Sequence, residues 1–155
     1  MMGIYNREVL ETTNTFDLVP RTLAEQEEFI TTRSGGLAVV VAEANGQRAT
    51  DEQAVVGFAS LSFYRDRSGY RTSVEDSVYV DRDHQGQGVG GLLLEAVIER
   101  ARDNGFHAMF ARIIDCQPPS MTLHQRHGFE LVGIEREVGR KFGRWRDVAL
   151  MQLLL

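Results

Sequence analysis

The chain has 155 residues, 43% of them hydrophobic and 25% charged. That is the balance of an ordinary globular protein large enough for about one domain, and it excludes disordered and fibrous classes. A formal net charge of −5 argues against a nucleic-acid binder, which needs a basic excess to attract phosphate. The lone Cys116 excludes an internal disulfide and any multi-cysteine metal site. It suits a reducing compartment, with an inert half-buried thiol weighed against a nucleophile. No apolar run reaches membrane-spanning length, and Glu8 and Glu11 stand where a signal core would lie, so a cytoplasmic location is expected.

In chain order, Ile4 to Leu10 reads as a helix and Thr12 to Pro20 as a loop. Thr22 and Glu25 stand in the T-x-x-E capping-box relation, so a helix is predicted from Leu23 to about Arg33, ending before Gly35-Gly36. Leu37 to Ala42 and Ala54 to Phe63 read as strands of a hairpin. Their connection, Glu43 to Gln53, is too long and polar for a two-residue turn. After a polar loop from Arg65 to Gly69, Thr72 to Val80 is a strand. His84 to Gly91 holds four glycines in eight residues, and from Leu92 a helix buries Leu93, Val97 and Ala101 before stopping at Asn104-Gly105. Phe106 to Ile114 is a strand. Pro118, Pro119 and Ser120 open a helix to about His127 that Gly128 closes, and Glu130 to Glu137 and Trp145 to Leu153 form the last strand pair. The sum is a mixed α/β layered fold.

Basic side chains crowd two places, Arg65, Arg67 and Arg71, and Arg136, Arg140, Lys141, Arg144 and Arg146. Solvated faces and local anion recognition remain the two readings of these groups. Trp145, between Arg144 and Arg146, reads as a packing or interface aromatic.

Glycine-dense sequence between a strand and a helix lets backbone N–H groups converge on an anion, and the helix N-terminus behind them adds partial positive charge. A flexible turn is the plainer alternative. Gly86, Gly88 and Gly91 also satisfy G-x-G-x-x-G, with Asp115 as a candidate ribose acid, so a dinucleotide-binding fold competes. Against it, Asp81 to Gln85 separates Val80 from the first glycine, and about 65 residues follow Gly91, too few for the remaining parallel strands.

The run Gln85-Gly86-Gln87-Gly88-Val89-Gly90 resembles the Q/R-x-x-G-x-G/A pyrophosphate loop of the GNAT acetyltransferase superfamily. Further stretches are similar to its phosphinothricin and methionine sulfoximine N-acetyltransferase branch. They are Ile4-Tyr5-Asn6, Val74 to Val80, Leu123 to Phe129, and Gly139, Lys141, Gly143, Arg144, Trp145, Asp147 and Gln152. The resemblance covers essentially the whole chain. It implies the GNAT fold, a mixed, mainly antiparallel sheet flanked by helices, here without the family's first strand because the match begins near Ile4.

The resemblance further implies an acetyl-CoA-dependent N-acetyltransferase acting on the amine of an amino acid or analogue, as a homodimer. Glu75 falls on the acidic residue that assists amine deprotonation, and His124 falls where many relatives have a tyrosine near the CoA sulfur. The backbone of Val78, Tyr79 and Val80 is matched to pantetheine contact and Gln85, Gly86, Gln87, Gly88, Val89, Gly90 and Gly91 to the pyrophosphate, with Gln117 and Ser120 beyond. Gln117 replaces a common asparagine. Arg65, Arg67 and Tyr70 fall on the loop beside the amino-acid pocket. The plain alternatives are a solvated or ion-paired Glu75, a structural His124, and a CoA-binding module without catalysis. No histidine pair has metal-ligand spacing, so no metal is expected.

Overall fold

The computed structural model describes residues 1–44 and 54–155. Its elements are α1 (Met2–Glu11), α2 (Leu23–Thr31), β1 (Val40–Ala44), β2 (Ala54–Phe63), β3 (Ser73–Val80), α3 (Val89–Asp103), β4 (Ala108–Ile114), α4 (Pro118–Arg126), β5 (Glu130–Lys141) and β6 (Arg144–Leu154). One six-stranded sheet has the order β1-β2-β3-β4-β6-β5. Among the described residues only β3 and β4 are parallel, with α3 as their crossover, and every other pair is antiparallel. A doubly wound dinucleotide fold needs a mostly parallel sheet, so this topology removes that alternative. No helix among the described residues is long and apolar enough to cross a membrane.

One sheet face is covered by α3 and α4. Leu93, Leu94, Val97, Ile98 and Ala101 of α3 are buried against Ala59, Leu61, Val74, Met109 and Met151. The periodicity follows from 3.6 residues per turn. Gly57 permits the close approach, since a Cβ there would meet Leu93 Cδ1 at 2.9 Å and the Tyr79 carbonyl at 3.0 Å. The opposite face carries Tyr5 and Val9 of α1 against Phe58, with Tyr79 alongside. The β2 strand is therefore apolar on both faces.

The capping box at Thr22 forms as expected: Thr22 Oγ1 accepts from the Glu25 amide (3.3 Å) and Glu25 Oε2 from the Thr22 amide (2.7 Å). Several boundaries need correction. The strand expected over Leu37 to Ala42 starts only at Val40, because Gly35–Leu37 is a 3-10 turn whose backbone closes locally, Leu37 N–H to Ser34 and Ala38 N–H to Gly35. It continues to Ala44, while the rest of the expected connection, 45–53, lies outside the described residues. The helix expected from Leu92 begins at Val89, so Gly90 and Gly91 are helical and not loop.

The closing hairpin is longer than expected. Glu130 to Glu137 stops at a bulge, where Glu137 has φ +49 and gives its amide to Asp147 Oδ1 (2.8 Å); pairing resumes at Gly139↔Arg146. Phe142 and Gly143 turn the chain with φ of +50 and +74, the two positive values that suit a two-residue hairpin turn. Lys141, grouped above with surface cations, is 2% exposed and donates to the Thr15 carbonyl (2.7 Å). Burial lowers its ammonium from the ordinary lysine value, and Asp17 and Glu8 oppose the change. It is an internal strut rather than a solvated or anion-binding charge.

Candidate active site

The pairing between β3 and β4 covers three rungs, Ser73↔Ala108, Val74↔Met109 and Glu75↔Phe110, and then stops. On its other side β3 stays paired with β2 as far as Val80↔Gly57. From Asp76 onward β3 thus has no ladder partner on its β4 side, and the two strands part. A cleft of about 1070 Å³ fills the opening, lined by both strands, the loop after α1, the glycine-rich loop and α4.

The glycine-rich segment forms one end of this cleft. A short 3-10 turn, Arg82–His84, leads into it, with the Asp81 carboxylate accepting the Asp83 amide. Gly86 and Gly88 have φ of +73 and +88, a region that side-chain-bearing residues enter at a cost. Gly88 then caps α3, and no acidic side chain stands in the first turn of that helix. Free amides at a helix N-terminus without a repelling carboxylate suit a pyrophosphate, so the site fits acetyl-CoA.

Within the segment Gln85, Gly86, Gly88, Gly90 and Gly91 line the cleft, while Gln87 and Val89 do not. The Gln85 amide nitrogen donates to the Val80 carbonyl (3.2 Å) and that of Gln87 to the Asp83 carbonyl (2.9 Å), so both side chains brace the loop. Val89 packs against the main core.

Glu75, Ser77 and Tyr79 alternate along one face of β3, with Asp76, Val78 and Val80 on the other. All six line the cleft. Glu75 occupies the last paired rung, where the strands part. Burial raises its carboxyl above the ordinary value; nearby Arg112 opposes this, and Asp76 and Glu135 add to it. A carboxylate moved toward neutrality is a better-matched base at physiological pH than an ordinary glutamate.

His124, Gln117 and Ser120 also line the cleft. His124 is held inside the protein: Nδ1 lies 2.8 Å from the Ser120 carbonyl, and Nε2 lies 3.1 Å from Asp76 Oδ2. The Phe129 ring packs perpendicular to the imidazole, with 5.0 Å between ring centroids. Burial pulls the proton affinity of His124 down, but the hydrogen bond and charge of Asp76 outweigh it, and the net direction is up. An imidazolium favoured by the fold adds stability that is complete below the ordinary value of about 6.5 and is lost as pH rises through the folded value. Thermal melts of wild type should therefore fall from about pH 6.5 upward relative to a His124→Gln variant. Parallel curves would mean that folding leaves the proton affinity of the ring unshifted.

The substrate residues implied by resemblance separate in space. Arg65, Arg67 and Tyr70 line a second cup of about 810 Å³ with Phe63, Tyr64 and Asp66, and Glu75 lies in the main cleft. Tyr64 links the two regions, stacked on Phe110 at 4.0 Å between ring centroids, and Phe110 is the rung partner of Glu75. Asp115, the candidate ribose acid, instead accepts from Thr13 Oγ1 (2.8 Å) and Arg146 (3.1 Å). It braces the turn before α4, where Asp115 and Cys116 both have positive φ.

Sequence reasoning missed Asp76, Arg112 and the wall formed by Asn14, Thr15 and Phe16. Asp76 carried a usable signal, an acid on the inward, otherwise valine face of a strand, which must find a partner. The wall had none, since its position depends on tertiary bonds from Lys141 to Thr15 and from Asn14 to Glu8. Phe16 lies over Gly139, where an added Cβ would overlap its ring. Gly139→Ala should displace Phe16, raise the KM for the amine by roughly tenfold and leave CoA affinity alone, as overpacking typically costs about 1–3 kcal/mol. Steady-state kinetics with each substrate varied would show it. An unchanged amine KM would take Phe16 out of the substrate wall.

Residues 4–129 match the model of the acetyltransferase (GNAT) family. The chain is 41% identical to the L-methionine sulfoximine/L-methionine sulfone acetyltransferase of Pseudomonas aeruginosa, across 100% of this chain and 87% of that protein. It is 38% identical to a phosphinothricin N-acetyltransferase of Streptomyces coelicolor, over 96% and 85% of the two chains. The Salmonella typhimurium acetyltransferase yncA, solved with its cofactor acetyl-CoA, superposes with a TM-score of 0.91 at 37% identity, over 99% of this chain and 86% of that one. An open mixed sheet that parts beside a glycine-rich helix cap, joined to this likeness, places the chain in the GNAT acetyltransferase family as an N-acetyltransferase that uses acetyl-CoA.

Proposed function

We propose that the chain acetylates the α-amine of a free amino acid or amino-acid analogue of the phosphinothricin or methionine sulfoximine type, by direct transfer with Glu75 as general base. The observation that carries this is the position of Glu75 on the last rung before the strands part, inside the cleft that continues to the Gly88 helix cap. The names of the relatives supply the substrate class.

Glu75 accepts a proton from the substrate ammonium and so frees the nitrogen lone pair for attack on the thioester carbonyl. The C–N bond forms, the C–S bond breaks, the acylated nitrogen gives up its second proton to solvent, and the departing sulfur takes up a proton. The loop Gln85 to Gly91 holds the pyrophosphate through its amides, with Gln87 and Val89 contributing backbone only. Val78, Tyr79 and Val80 offer main-chain groups to the pantetheine arm, with Gln117 and Ser120 on the α4 side. Arg65, Arg67 and Tyr70 border the entrance for the amino acid.

The chain acts as one domain and in the cytoplasm. It forms a homodimer through the closing hairpin, where Leu131, Val132, Ile134, Val138, Phe142 and Trp145 are exposed, Trp145 by 60%. Apolar side chains in such number on one hairpin suit a covered surface. Light scattering showing only monomer at micromolar concentration would remove the dimer.

A thiol-release screen with acetyl-CoA over phosphinothricin, methionine sulfoximine, methionine sulfone and the common amino acids tests the substrate class. Turnover confined to polyamines or peptide N-termini would overturn it.

A further inference from the structure

Asp76 stands beside Glu75 in sequence but on the opposite face of β3, and the proposed chemistry gives it no task. It is 7% exposed and His124 4%, so a carboxyl group sits in the protein interior beside an imidazole. A charge there is tolerated when it is paired and hydrogen-bonded. A carbonyl can only accept, so the bond to Ser120 O requires a hydrogen on Nδ1 of His124. A neutral ring would then present a bare Nε2 to a carboxylate, two acceptors face to face. The arrangement closes when Nε2 also carries a hydrogen and the ring is an imidazolium.

The surroundings of the pair are consistent with this. Asp76 Oδ2 receives His124, while Asp76 Oδ1 is buried without a hydrogen-bond partner among the described residues, and Asp76 lines the cleft. From α4, His127 is committed to the Leu123 carbonyl (2.8 Å), and Arg126 borders the cleft. From β4, Arg112 is paired with Glu135 (2.6 Å). On β3 itself the other charge is Glu75, across the strand, which feels the charge of Asp76. Asp76 is therefore the anion that faces the His124 ring directly.

We propose that Asp76 is a positioning residue of the acetyl-transfer site, whose carboxylate fixes His124 as an imidazolium beside the opening between β3 and β4. The pair does two things. It keeps one proton on Nε2, shared with Asp76 Oδ2, within the cleft where the departing sulfur must gain one. It also sets a fixed negative charge behind Glu75 that strengthens the base. If Nε2 gives up its proton, a neutral ring with a bare Nε2 facing the Asp76 carboxylate remains, and a proton taken from solvent restores the imidazolium.

The inference rests on the acetyl-transfer reading of the cleft, but its first test needs no turnover. NMR titration of 15N-labelled imidazoles in the ligand-free protein should show His124 with both nitrogens protonated at neutral pH and a midpoint above the ordinary value of about 6.5. A ring with unprotonated Nε2 at pH 6 would overturn the proposal.

Asp76→Asn keeps the shape and removes the charge. In a folded variant the His124 midpoint should drop, and kcat at pH 7 should fall by about tenfold or more. The acid limb of kcat/KM should move to lower pH as Glu75 loses its anionic neighbour, while CoA affinity holds. An unchanged midpoint and pH profile would also overturn the proposal. Should Asp76→Asn fail to fold, the wild-type titration decides alone. Inactivity of wild type on every amino acid would sink the functional reading and leave that titration intact.

Discussion

Glu75→Gln is expected to lower kcat/KM at neutral pH by about 10²-fold or more, because the amide keeps the volume of the side chain and cannot accept a proton. The pH dependence carries the sharper signature. A base must be ionised to act, and burial raises Glu75 above the ordinary carboxylate value. Wild-type activity should therefore climb with pH through a limb lying above about 4.3. In the variant that limb disappears, and activity recovers only as higher pH supplies free amine. CoA affinity should be unchanged, since Glu75 stands on the last paired rung of β3 and the glycine loop follows the other end of that strand, beyond Val80. Pairs of pH–rate profiles on the best amine decide the matter, and near-identical curves would dismiss Glu75 as the base.

Gly88→Val is expected to weaken CoA binding by about tenfold or more without unfolding the protein. Gly88 holds φ +88 at the cap of α3, and a Cβ there would meet nothing within 4 Å, so the penalty is backbone strain and not collision within the chain. Left-handed backbone costs a side-chain-bearing residue on the order of 1–3 kcal/mol, most for a β-branched one, and every 1.4 kcal/mol or so is a factor of ten in affinity. The loop relieves the strain by turning its amides away from the anion, and the valine methyls occupy the approach. Calorimetry on a variant with a native circular dichroism spectrum reads this directly. Equal CoA affinity would mean that the pyrophosphate is held elsewhere.

Elements with strong local signals were legible in the chain. The α3 helix shows its apolar face at Leu93, Val97 and Ala101, the capping box shows at Thr22 and Glu25, and Pro118 and Gly128 bracket α4. The segments misjudged were those whose backbone bonds leave the local pattern. Gly35–Leu37 closes as a turn despite an apolar run beside it, and Glu137 bulges out because Asp147 takes its amide. Of the residues that line the cleft, Glu75, His124 and the glycines stood out in the sequence because they fall on a recognisable family pattern. The fate of Lys141, drawn inside to hold Thr15, was hidden, since a cation's burial depends on partners over a hundred positions away.

By itself the sequence determined the order of helices and strands, the glycine-rich segment ahead of α3 and the placement of an acid on β3, because periodicity, capping and glycine density act over a few neighbouring residues. Tertiary structure alone decided that β3 and β4 part after Glu75, that Asp76 meets His124 from the opposite face, and that Arg65, Arg67 and Tyr70 form a cup of their own. Strand pairing and the burial of charge are set by which distant groups arrive at the same place, and a local pattern holds no record of that.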